Sequence, residues 1–270
     1  MYNEFYRFRE APFNITPDPR FLFFSDRHRE AFNHILFGIR ERKGFIQITG
    51  EVGAGKTTVC RAILKELGPA YRTALILNPC MTSAQLLRAI LTEFGLKPRR
   101  VDRVSSLQIL NEFLLEEATI GNDVVLFIDE AQDLDTDLLE QVRLLSNLET
   151  DQTKLLQIVL LGQPELREKL NDRSLRQLRQ RITVRYHLTP LSRLEVASYI
   201  QHRLQVVGAN GRPAFTPWAI RSVFRYSGGI PRLVNAVCDK TLLCGFVTGS
   251  DELTAAHVRR AIRELNGTFS

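Results

Sequence analysis

Five short runs along the chain, 45–49, 73–78, 124–128, 155–161 and 183–188, are predominantly apolar. Between them, apolar side chains recur at helical spacing. Runs of this length read as strands buried on both faces, and the intervening periodicity reads as helices. Helices are predicted over 26–41, with Ala31, Ile35 and Ile39 on one face, and over 56–67, 83–94, 105–119 and 134–148. Two short arginine-rich helices follow the turn Gly162-Gln163-Pro164. Strands alternating with helices predict an α/β fold built on a parallel sheet. After Pro190 the strand pattern stops. Helices alone are expected over 191–207, 217–226, 231–246 and 254–265, the first opened by Ser192 with Glu195 three residues on, the signature of a capping box. The predicted organisation is a core, 1–190, with an N-terminal arm, and a four-helix lid, 191–270. Phe and Pro crowd the first 30 residues, so the arm reads as ordered rather than as a solvated tail. Segment 95–104, with Pro98 and a basic cluster, reads as a loop.

Of the 270 residues, 44% are hydrophobic and 24% charged, as in an ordinary globular protein. No apolar run approaches the roughly 20 residues of a membrane helix. The N-terminus lacks the basic-then-apolar order of a signal peptide, so the cytoplasm is expected. Cys60, Cys80, Cys238 and Cys244 show no CxxC spacing and read as buried, reduced thiols. A net charge of +6 is compatible with nucleic acid or anionic lipid, and equally with gripping a polyphosphate. The loop Lys97-Pro98-Arg99-Arg100-Val101-Asp102-Arg103 is the best candidate contact for an acidic partner. No aromatics interleave with its charges, which favours a solvated loop.

The chemistry concentrates elsewhere. Gly50-Glu51-Val52-Gly53-Ala54-Gly55-Lys56-Thr57, followed by Thr58, matches GxxxxGK[ST] between a strand and a helix. Such a loop wraps backbone N–H groups round a phosphate at a helix N-terminus. Lys56 would reach the β- and γ-phosphates, and the Thr57 hydroxyl would bind Mg²⁺. The run 124–128 ends in Asp129-Glu130. Asp129 would hold Mg²⁺ through water, and Glu130 would act as general base on the lytic water. Gln163, after the fourth strand, falls between these two segments. It is either a sensor of the γ-phosphate or a turn residue before Pro164 at a first helical position. Arg173, Arg176, Arg179 and Arg181 form either a solvated basic face or the source of an arginine finger for a neighbouring subunit, with Arg181 ranked before Arg179. Ser227-Gly-Gly-Ile-Pro231-Arg232 opens a lid helix and aims Arg232 at the nucleotide.

With these motifs in order, the chain resembles the AAA+ ATPases of the general-secretion-pathway component A family. It is especially similar to the short secretion ATPases of exopolysaccharide and PEP-CTERM loci and to related pilus-biogenesis ATPases. The matching elements are Pro12-Phe-Asn-Ile-Thr-Pro-Asp-Pro-Arg-Phe-Leu-Phe23, Gly50 through Thr58, Ile128-Asp-Glu-Ala-Gln132, Leu160-Leu-Gly-Gln-Pro-Glu-Leu166, Gln180-Arg-Ile182 and Gly228-Gly-Ile-Pro-Arg232. The resemblance implies a five-stranded P-loop NTPase core with a helical lid, and ATP and Mg²⁺ as cofactors. It implies ATP hydrolysis, an arm that helps enclose adenine, and assembly into a ring or open homo-oligomer. It also implies a protein partner in an envelope export machine, reached from the cytoplasm at the inner membrane. Longer relatives carry a membrane helix and a peptidoglycan-binding domain; neither is carried over to this chain, which ends at Ser270. The second reading is a nucleic-acid-dependent AAA+ regulator of the transposition or initiator type. Gln163 departs from the asparagine, serine or threonine common at the sensor position of other AAA+ groups.

Overall fold

The computed structural model describes residues 1–14, 19–97, 102–149 and 153–267. They fall into two compact units, one of residues 28–50 and 59–188, the other of residues 1–27, 51–58 and 189–270.

The first unit is built on a five-stranded parallel sheet in the order β2-β3-β4-β1-β5. Its strands are β1 (Phe45–Gly50), β2 (Tyr71–Ile76), β3 (Asp123–Ile128), β4 (Leu156–Gly162) and β5 (Ile182–Leu188). The three central strands are buried almost throughout, as their near-continuous apolar runs require. The edge strand β2 alternates, burying Ala74 and Ile76. Around the sheet run α2 (Asp26–Arg40), α3 (Lys56–Leu67), α4 (Ser83–Glu93), α5 (Arg103–Ile120), α6 (Thr136–Leu145), α7 (Pro164–Leu170) and α8 (Arg176–Arg181). Helix α2 lies so close to β1 that a Cβ on Gly38 would come within 2.7 Å of Ile46. On the other face, Ile90, Leu110, Leu114, Leu139 and Leu166 join Leu126, Ile128, Ile158 and Leu160 in one core. Each such buried aliphatic contributes roughly 1.5–3 kcal/mol over its exposed state. One polar side chain in this interior is used structurally: Gln157 on β4 accepts the Gly44 N–H at 2.7 Å.

In this unit two helices start away from the sequence expectation because of caps. Helix α5 starts at Arg103, two residues early, since Asp102 accepts the Ser105 N–H at 2.8 Å. Helix α6 starts at Thr136, two residues late, since Asp135 caps it through the Leu138 N–H at 2.7 Å and a 3₁₀ turn, Ala131–Asp133, comes first.

The second unit holds α1 (Tyr2–Phe5), α9 (Arg193–Val206), α10 (Pro217–Ser227), α11 (Pro231–Val247) and α12 (Ala255–Leu265). The expectation of helices alone after Pro190 needs correction. Two-residue strands β6 (Ala214–Phe215) and β7 (Glu252–Leu253) pair in parallel, too short to leave a periodic signature. The arm, grouped by sequence with the α/β core, clusters here: Tyr6, Phe8, Phe13 and Phe21 share a core with Val196, Tyr199, Val234, Val237 and Leu242. The Tyr6 hydroxyl donates to the carbonyls of Leu242 and Ser250. Burial, with the charges of Asp251 and Cys244, pushes its pKa up to about 12.

Among the described residues no helix is long and apolar enough to cross a membrane. Cys60, Cys238 and Cys244 are buried, but Cys80 is exposed in the loop after β2, contrary to the expectation of a buried thiol. Of the basic loop, Pro98–Val101 lie outside the described residues, as do residues 15–18 of the arm.

Candidate active site

Strand β1 runs into the glycine loop, and α3 begins at Lys56. Gly53 (φ +78°) and Gly55 (φ +105°) take left-handed backbone conformations, open to glycine at little cost. The Ala54 N–H donates to the Glu51 carbonyl at 3.1 Å. Lys56 is 5% exposed, and its Nζ donates to the Glu51 carbonyl at 3.1 Å, so the cation is curled over its own loop.

Within the same unit the loop packs on the start of α11. The Arg232 N–H donates to the Gly53 carbonyl at 3.4 Å, and a Cβ on Gly53 would stand 2.4 Å from the Arg232 Cβ. The first turn of α11 is thus seated on the glycine loop through the backbone and the side-chain stem of Arg232. The glycines before α11 are also needed. Gly229 (φ +82°) comes so close to Leu191 that a Cβ would meet its carbonyl oxygen at 1.9 Å.

In the α/β unit, the carboxyl ends of β1, β4 and β3 are level: Thr49 pairs with Gly162, and Ile128 with Leu160. Ligands of open α/β sheets bind along this edge. Asp129 lies just beyond β3, 3% exposed, its N–H donating to Ile76 and its Oδ1 accepting the Glu130 N–H at 2.9 Å. Its charge raises the pKa of Cys60 on α3, adding to the larger effect of burial and opposed by Arg61. Glu130 is left-handed (φ +51°), uncommon for a residue with a side chain. Its Oε2 accepts from Gln163 Nε2 at 3.2 Å and from Gln132 Nε2 at 2.8 Å. Two residues picked from sequence, Glu130 and Gln163, are thus brought into contact, with Gln163 just beyond the end of β4, the strand between β1 and β3. Gln132 was legible only as part of a motif, without a role of its own. The signal that could have found it is its amide two residues beyond an acid at a sheet edge.

The arginines separate. Arg181 donates from Nη1 to Ser146 Oγ at 2.7 Å and to Asn147 Oδ1 at 2.5 Å. Arg179 reaches Asn171 at 3.4 Å. Arg173 and Arg176 are exposed, and their side chains make no hydrogen bond or ion pair among the described residues. Arg181 is the anchored member of the cluster.

In one unit, the cradle of left-handed glycines and the buried Lys56 suit a polyphosphate, and the Thr57 hydroxyl is a hard oxygen donor. In the other unit, the Asp129 carboxylate is a donor of the kind Mg²⁺ takes.

Residues 39–170 match the model of an AAA domain. Solved structures share the fold. They include Drosophila ORC bound to DNA (TM-score 0.72, 19% identity, 98% of this chain and 65% of that one). Cdc6p from Pyrobaculum aerophilum is another (0.71, 17%, 94% and 70%). So is the Walker-type ATPase of Pyrococcus abyssi (0.65, 17%, 95% and 76%). The fold and the glycine loop together define a P-loop protein of the AAA class. Over 271 aligned residues the chain is 46% identical to general secretion pathway protein A of Aeromonas hydrophila, covering 99% of this chain and 49% of that one. The chain belongs to that family of AAA proteins, and it spans about half the length of the relative it matches.

Proposed function

We propose that this protein hydrolyses ATP with Mg²⁺ and acts as an oligomeric motor or switch for a secretion, exopolysaccharide or envelope-assembly system. The observation that carries the reading is the Glu130–Gln163 hydrogen bond at the strand edge level with the start of the glycine loop. It joins a candidate base to a candidate sensor of the γ-phosphate. The service to secretion rests on the likeness to general secretion pathway protein A.

Bound Mg²⁺ would neutralise charge developing on the phosphoryl group. The chain's own residues divide the remaining work. The N–H groups of 51–58 and the Lys56 ammonium would bind the phosphates, Thr57 and Asp129 would hold the metal, and Arg232 would contribute positive charge from the first turn of α11. Glu130 takes a proton from the attacking water. A neighbouring subunit's Arg181, with Arg179 as second choice, completes the charge stabilisation. Two variants test this. Lys56→Ala should lose nucleotide binding in a fluorescent-nucleotide titration. Glu130→Gln should bind ATP with near-normal affinity while phosphate release falls by at least about 10²-fold, the lower range for general-base catalysis. Wild-type turnover in Glu130→Gln would remove Glu130 from the mechanism.

A further inference from the structure

We infer that Gln132 is the positioning residue for the general base, holding the Glu130 carboxylate in one orientation. The inference rests on the proposed role of Glu130. The two amide donors on that carboxylate, from Gln132 at 2.8 Å and Gln163 at 3.2 Å, converge on Oε2. Oε1 carries no donor among the described residues. One oxygen is thus anchored and the other is left to accept a proton from water.

The donors are not equivalent. The Gln163 amide is the candidate contact for the γ-phosphate, so contact with that group draws it from its longer bond to Glu130. Gln132 is fastened from several sides. Its Oε1 accepts the Gln163 backbone N–H at 3.0 Å. Its Nε2 also meets Asp133 Oδ1 at 3.3 Å. Its carbonyl accepts from Lys169 Nζ on α7, which donates to Leu134 as well, at 2.7 Å. This network fixes which way the amide points. Turned over, it would set an NH₂ against the Gln163 N–H and an oxygen against the carboxylate. The strand leaves room for it at one point: a Cβ on Gly162 would lie 3.0 Å from Gln132 Oε1 and 2.7 Å from Leu166 Cδ2. Glu130 also sits in a left-handed conformation uncommon for a residue with a side chain, and Gln132 opposes its relaxation.

The test is steady-state ATP turnover of Gln132→Leu and Gln132→Glu, with nucleotide affinity and thermal midpoint measured alongside. The second variant keeps the shape and replaces the donor with an acceptor, so it carries the test if the first misfolds. Loss of a positioning contact should lower kcat about 10- to 100-fold, with KM and nucleotide affinity within about twofold of wild type. In single-turnover measurements on a Glu130→Gln background, either substitution should add little, because both losses pass through the same carboxylate. A kcat within twofold of wild type, or losses that multiply fully in the double variants, would overturn the inference. If Glu130→Gln is dead while the Gln132 variants turn over normally, this inference alone fails. If Glu130→Gln is active, both readings fail together.

Discussion

At Gly53 two demands meet that only hydrogen in place of a side chain satisfies. The backbone is at φ +78°, and Arg232 fills the space where a Cβ would go. Gly53→Ala should therefore cost more than the 1–2 kcal/mol of left-handed strain alone. It should weaken ATP binding about tenfold or more in a nucleotide titration. Affinity within twofold of wild type would mean the loop adapts. His202 offers a pH-dependent contrast. Burial lowers its pKa, the Arg203 charge adds to this, and a hydrogen bond to the Leu22 backbone opposes it. A histidine harder to protonate folded than unfolded contributes stability above its unfolded value, near 6.5. That contribution is lost as pH falls from there through the folded value. Thermal midpoints should therefore drop as pH goes below about 6.5, and His202→Gln should flatten that part of the curve. At this scale the sequence placed Lys56 at the head of a helix after the glycine loop and Asp129 just past a buried strand, where the structure has them. The left-handed turn at Glu130 and the grip of Gln132 were hidden, because they arise from β4 and α7 arriving alongside.

Single elements were legible in proportion to their periodicity and caps. Ser192 and Glu195 announced α9, and both halves of the capping box are present: Glu195 accepts the Ser192 N–H at 2.8 Å, and Ser192 accepts the Glu195 N–H at 3.3 Å. Burial of Glu195 works to raise its pKa, but these bonds and those from Asp26 and Ser25 outweigh it and leave it lowered. Ser192→Ala should cost about 1 kcal/mol, a fall of about 2–4 °C in thermal midpoint for a chain of this size. An unchanged midpoint would show that packing alone sets the start of α9. The start of α6 was misread because Leu134, beside the cap Asp135, continues the apolar pattern without belonging to the helix, whereas α5 takes in Arg103 and Val104 directly after its cap Asp102.

For the whole molecule, the parallel sheet followed from the alternation of strands and helices, whereas its strand order and the company kept by the arm did not. Aromatic residues before position 24 signal burial without saying against what. The assembled protein offers its own test. Arg181 is held by Ser146 and Asn147, and a finger acting on a neighbour must leave or share those bonds. Homogeneous Arg181→Ala should bind ATP and turn it over about 10³-fold more slowly, while Lys56→Ala should be inactive. Mixing the two at assembling concentrations should restore partial turnover that rises with total protein. No recovery in a demonstrably mixed oligomer, with Arg179→Ala tried in the same way, would remove this cluster from a neighbour's site.

The Tyr6 hydroxyl bonds to residues 236 and 244 positions further along, which has a consequence for synthesis. A ribosome delivers the arm well before these partners, so Tyr6, Phe8, Phe13 and Phe21 wait unpaired while the whole sheet is made. A nascent chain stopped at Leu188 therefore carries a sticky leader on an otherwise complete α/β unit. Fragment 1–188 should bind chaperone or aggregate where fragment 28–188 does not.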